Sequence, residues 1–282
     1  MVNLLKVLSE RKLLNLLIGT IFYILVTLPH EFVGVTIAEL FKGVSRSKYD
    51  LTILLLGITI LCGFIFTFWI QLRKLIRPAI PLGFFIFCLI AMIISLNMLI
   101  IINIEIIHFI QYGVLACIIF PLFRSFFPTL LAIVILGAID EGYQYYFLSP
   151  DRTNYYDFND VILNQLGGAM GLIYLRAHRG IKSMLRIDLQ TVRHRAWSLY
   201  ITMVCISTLI IIRKDFLQKL IDGLGFQLDW SGYGAVLIRK PTTGFWTEIP
   251  PKIIYHVVQP VEGMIIITIL LFIFSYLYKQ TE

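Results

Sequence analysis

The sequence predicts an all-α, polytopic helical membrane bundle, and three observations carry that prediction. First, the 282 residues are 58% hydrophobic and only 15% charged, whereas a soluble domain is about 45–50% apolar and about 25% charged. Second, the apolar runs are about 17–25 residues long. That is enough to cross a hydrocarbon core of about 30 Å as helices, and the runs lack the alternation of barrel strands. Third, the chain carries a net charge of +7, yet its Lys and Arg residues are concentrated in short loops between the apolar runs. There they read as topology determinants and not as a face for nucleic acid.

Hydropathy places about eight spans, at roughly 13–29, 51–72, 80–104, 106–123, 128–148, 161–176, 197–213 and 260–278. The first run follows Lys6, Arg11 and Lys12 as a signal peptide would, but no small-residue cleavage site follows it, so it reads as a retained helix. The third and fourth runs nearly touch at Asn103 to Glu105. Together they are too long for one crossing, which predicts a tight polar hairpin there. Cys62, Cys88, Cys117 and Cys205 all fall inside spans without CxxC or Cys/His spacing, so they read as small packing residues and not as disulfides or metal ligands.

The basic loops set the orientation. Arg73, Lys74 and Arg77 join spans two and three without an acid, and Arg176, Arg179, Lys182, Arg186, Arg193 and Arg195 join spans six and seven against Asp188 alone. Placing both loops in the cytoplasm puts Arg124 and both termini inside and the loop 149–160 outside. Residues 30–50 and 214–259 then also lie outside. Within the second excursion, Phe216 to Leu224 has the period of an interface-lying helix, and Tyr233 to Trp246, containing PTTG, has the look of a hairpin. The chain reads as a single membrane domain over 1–282.

Polar residues on three spans fall at one depth on the extracytoplasmic side. Glu105, His108 and Tyr112 are spaced i, i+3 and i+7 on span four, and Glu141, Gln144 and Tyr145 are spaced i, i+3 and i+4 on span five. Asp157, Asp160, Asn164, Gly168 and Gly171 form a helical stripe at the start of span six. A charge at the bilayer centre costs at least about 2.5–3.5 kcal/mol, so such residues face a bundle interior or a function. Gly167, Gly168 and Gly171 would let another helix backbone approach closely.

Structural roles compete for several of these residues. Asp160 and Asp157 can cap a helix N-terminus, and His108 can be satisfied by Glu105 or by a backbone carbonyl. Tyr143, Tyr145 and Tyr146 fit an aromatic belt. Arg152 can pair with Glu141 or Asp157, or hold a phosphate oxygen. Asp140 and Glu141 are adjacent and point about 100° apart, which predicts that only one of them faces the site.

These residues resemble the VanZ-like membrane proteins. The match runs through IEIIHFIQYGVL at 104–115, EGYQ at 141–144, DR at 151–152 and YDFNDVILNQLGGAMG at 156–171, so that the similar core covers about 100–176. Glu105 stands where many relatives carry an Asp or Lys pair, and the excursion after span seven is not part of the pattern. The resemblance implies a bacterial cytoplasmic-membrane protein of the family associated with resistance to the glycopeptide teicoplanin.

On this basis the chain is expected to bind or modify a membrane lipid or lipid-linked envelope component at the outer leaflet. His108, Glu141 and Asp160 are the acid/base or anchoring groups in that expectation. Tyr112, Gln144, Arg152, Asp157 and Asn164 are the binding groups. No nucleophile motif such as GxSxG or HExxH is present. The residues leave open a metal-assisted hydrolase or transferase using His108, Glu141, Asp157 and Asp160, an ion-coupled transporter, and a structural partner protein. They name neither a cofactor nor a protein partner.

Overall fold

The computed structural model describes residues 2–27, 36, 39–75, 78–100, 103–144, 156–178, 246–249 and 253–279. Spans one to six and eight correspond to helices among these residues. Span seven, Arg152, Tyr145, Tyr146, the 216–224 segment and residues 233–245 of the expected hairpin lie outside them.

The chain begins with a helix that hydropathy did not anticipate, α1 (Val2–Glu10), which continues into α2 (Lys12–Thr27) after one intervening residue. Leu5, Leu8 and Ser9 of α1 are buried. Next come α3 (Arg46–Leu72) and α4 (Ala79–Met98). The expected polar hairpin is a short 3-10 turn, Asn103–Ile106, so span three ends at Met98 and not at residue 104.

Helix α5 (Ile107–Phe123) ends at Arg124, whose left-handed φ of 52° stops the helix while its N–H bonds Phe120 O. Ser125, with extended backbone, then opens α6 (Phe126–Tyr143). Helix α7 (Phe158–Arg176) follows the outer loop, and Asp157 caps it by accepting the Asn159 N–H at 2.9 Å. Asp160 therefore lies in the first turn and is not the cap.

The all-helical expectation needs one amendment. Strands β1 (Trp246–Ile249) and β2 (Ile253–His256) pair antiparallel, with Trp246 opposite His256, before the last helix, α8 (Pro260–Lys279). The hairpin therefore begins where the expected one at 233–246 ends.

Among the described residues, three helices, Ser47–Leu72, Ala79–Met98 and Phe126–Tyr143, are long and apolar enough to cross a membrane, and α2, α5 and α8 are apolar but shorter. In their most apolar stretches, only 11% of α3 and 22% of α4 is buried in protein, against 61% of α6. Apolar helix surface left so open requires an apolar surrounding.

The core lies where α5, α6 and α7 meet, and glycine makes it possible. A Cβ on Gly171 would run into the Gly113 carbonyl, and one on Gly167 would sit 2.5 Å from Phe109 O, so α5 and α7 touch backbone to backbone. Gly168 admits the Ile133 side chain of α6 in the same way, at 2.7 Å from its missing Cβ. Cys88 and Cys117 point their thiols at Leu166 O and Gly171 O of α7, at 3.5 and 3.6 Å, in keeping with packing cysteines, whereas Cys62 on α3 is exposed.

Candidate functional site: a buried acid–imidazole cluster

The close α5–α7 approach brings the start of α5, the end of α6 and the start of α7 to one end of the bundle. Arg124, which bonds Ser9 O, and Arg176 close the opposite end. His108, on the first turn of α5, is 2% exposed, and its two ring nitrogens meet two residues of α7. Nδ1 lies 2.9 Å from Asn164 Oδ1, and Nε2 lies 3.5 Å from Asp160 Oδ2. With Nδ1–H donating to the Asn164 carbonyl, Nε2 is left facing the Asp160 carboxyl. That separation is longer than the usual hydrogen bond of about 2.7–3.2 Å.

One turn along α5, Tyr112 is fully buried and donates its O–H to Asp140 Oδ2 at 2.8 Å. Gln144, at the C-cap of α6, turns its amide back, with Nε2 3.0 Å from Glu141 Oε1 and 3.4 Å from Asp140 Oδ1. The amide thus bridges two adjacent carboxylates. The expectation that only one of them faces the site is overturned, because Asp140 is 1% and Glu141 3% exposed. The 100° between them is accommodated by giving Asp140 a tyrosine on one side and sharing Gln144 between both.

The carboxylates form one electrostatic set. Glu141 lies within range of Asp160, Asp157, Asp140 and Glu105. Asp157, just outside α7, is pushed up to about 7 by burial and then by the Asp160 carboxyl, against the opposing pull of the Asn159 and Asp160 N–H groups. His108 turns its Nε2 toward Asp160 of this set. An imidazole facing several carboxyl groups in a dry site can hold a proton and hand it on.

Asn164 completes the geometry. It is fully buried, and among the described residues its Nδ2 has no hydrogen-bond partner. Gly137 of α6, whose Cβ would come within 3.1 Å of that nitrogen, makes the room it occupies. One turn above Gly137 stands Glu141, so the amide lies between the imidazole and the acidic end of α6. The Gly167, Gly168 and Gly171 stripe packs against α5 and α6.

Among the described residues, no three His, Cys, Asp or Glu side chains are grouped as a metal site requires. His108, Tyr112, Glu141, Gln144, Asp157, Asp160 and Asn164 are brought to one end of the bundle. Arg152 lies outside the described residues.

Three features had little or no local signature in the sequence. Asp140 is the first: its Tyr112 partner comes from another helix. Tyr23 of α2 donates to Leu136 O at 2.8 Å, and Tyr156 donates to Ala138 O at 2.6 Å, so that two phenols brace the last turns of α6. Asn159 is the third: adjacent to Asp160 and buried, it is saturated by backbone groups from distant segments. Compared with known proteins, the chain matches no family model, no curated protein and no solved structure.

Proposed function

We propose that this chain is a multi-pass protein of the bacterial cytoplasmic membrane, similar to VanZ-like proteins, with both termini in the cytoplasm. In this reading the His108–Asp160–Asn164 and Tyr112–Asp140–Glu141–Gln144 groups form a site open to the outer leaflet, which binds or modifies a lipid-linked component of the cell envelope. The observation that carries the reading is the pairing of His108 with Asp160 and Asn164 of α7 beside the Tyr112–Asp140 bond between α5 and α6, which gathers an imidazole and carboxyl groups from three helices at one end of the bundle. Buried charges of this kind are costly and mark a working site more often than a packing device.

The basic loops support the sidedness, since Arg124 and Arg176 sit at the opposite end from the acids. In the site, Asn164 orients the imidazole, His108 Nε2 and Asp160 exchange a proton with the ligand, and Tyr112 and Gln144 hold Asp140 and Glu141 in place. Arg152, in the outer loop, would supply the phosphate contact. Glycopeptide sensitivity is the phenotype this function would affect.

The test is complementation of a deletion strain with His108→Ala, Asp160→Asn and Glu141→Gln. Loss of the wild-type envelope-antibiotic response at normal protein levels is the expected result. An unchanged response in all three variants overturns the proposal.

A further inference from the structure

The first turn of α7 is held from two sides. Neighbouring helix residues point about 100° apart, so Asp160 is directed at His108 while Asn159 is directed at the hairpin and α4. Asn159 is 1% exposed. Its two amide hydrogens go to Leu99 O at 3.0 Å and His256 O at 2.8 Å, and its Oδ1 accepts the Val258 N–H at 2.9 Å. Asn alone fits this set at this length: Asp has no donors to give, and Ala leaves three buried backbone groups unmet. Phe158, on the same turn, fills the space above Gly263 of α8, where a Cβ would come within 2.5 Å of the ring.

The segment that Asn159 grips is itself fixed. His256 Nε2 lies 2.8 Å from Glu262 Oε1, and Glu262 Oε2 accepts the Gln259 N–H at 3.2 Å, which places a Glu at the third helical position after Gln259 with Pro260 at the first. The exit of β2 therefore presents His256 O and Val258 N at set positions. On the neighbouring face of the same helical turn, Asp160 stands 3.5 Å from His108 Nε2, just beyond hydrogen-bonding distance. A displacement of a few tenths of an ångström in the turn decides whether that bond forms.

We infer that Asn159 is a positioning residue through which the seating of the β1–β2 hairpin sets the approach of Asp160 to His108. The inference rests on the reading of His108 and Asp160 as the working pair. It assigns to the polar excursion before α8 a part in tuning the site from outside it.

The test is the ring 15N spectrum of His108 in the full-length protein, reconstituted in lipid nanodiscs and assigned with His108→Gln. Asn159→Ala and Asn159→Asp are expected to displace the two His108 ring resonances. Asp keeps an acceptor for the Val258 N–H but loses both donors. His256→Ala, which leaves the helix cap of Glu262 intact, is expected to displace them in the same direction by a smaller amount, with no further displacement when combined with Asn159→Asp.

A purely structural Asn159 would lower the thermal midpoint and leave the His108 resonances in place, and that result overturns the inference. Should Asn159→Ala fail to accumulate, Asn159→Asp and His256→Ala decide it alone. The spectrum requires no ligand, so failed complementation logic for His108 and failed coupling through Asn159 are read separately.

Discussion

Helices α3 and α7 are both read as spans from their apolar content, yet they are put to opposite uses. In α3, Leu51, Leu54, Leu55, Leu56 and Ile58 are exposed, and no described residue comes within 4 Å of where a Cβ on Gly57 or Gly63 would stand. In α7, every residue except Asp160 and Tyr174 is buried, and three glycines press against the backbone or branched side chains of α5 and α6. The difference teaches that hydropathy reports what a helix is made of and not what surrounds it. A helix with an open apolar face needs only apolar side chains, whereas one packed on every side must give up side-chain volume. Space gained in that way is where His108, Asn164 and Asp160 meet.

The sharpest way to break this contrast is to restore side-chain volume to α7. Gly171→Ala forces the α5 and α7 backbones apart at the Gly113 carbonyl, and overpacking of this kind costs about 1–3 kcal/mol or more. The expected outcome is a lower thermal midpoint in nanodiscs together with loss of the His108–Asn164 contact, followed in the His108 ring spectrum.

Tyr112→Phe comes next. It removes the donor to the buried Asp140 carboxyl without changing volume much, and a loss of about 1–3 kcal/mol is expected. Following it with Asp140→Leu should restore part of the stability, because it removes the unsatisfied carboxyl while the Gln144 amide keeps its shorter bond to Glu141. Denaturation of the three variants side by side checks both steps. A Tyr112→Phe protein as stable as wild type would show that Asp140 does not depend on the phenol.

Asp157 gives a smaller, pH-dependent effect. Its carboxyl is raised to about 7 in the folded protein, whereas an unfolded aspartate titrates near 3.9, so the folded state binds the extra proton between those values. Stability from this group is therefore present at low pH and is lost as pH rises through about 4 to 7. Asp157→Asn retains an acceptor for the Asn159 N–H and should flatten that part of the stability-versus-pH curve. A curve of unchanged slope would count against a proton on Asp157.

The smallest effect belongs to α3. Gly63→Ala meets nothing within 4 Å and should change the midpoint by no more than about 0.5 kcal/mol equivalent. A large loss there would mean that α3 has a protein neighbour on its glycine face.

Much of this organisation was legible locally. The spacing of His108 and Tyr112 placed them on one face of α5, and the glycine stripe foretold close packing, because both follow from the helical repeat, whereas Glu105 falls in the 3-10 turn before the helix. Asp140 was misjudged, since the angle between adjacent residues says nothing about a Gln144 amide that reaches both or a Tyr112 hydroxyl from another helix. Of the two acids able to cap α7, Asp157 does so, because capping depends on where the backbone turns and two acids three residues apart fit the same sequence pattern.

By itself, the sequence determined that the chain is apolar and helical, which runs could serve as spans, and which polar residues share a face. Those properties depend on composition and on periodicity along one strand of chain. Only the tertiary structure decided that Asn164 and Asp160 take opposite nitrogens of His108, that Asp140 joins the site, and that Asn159 ties the hairpin to it. Those contacts link residues 28 to 97 positions apart. A long-range partner is chosen by packing, in which the absence of a glycine side chain counts as much as the presence of a charge.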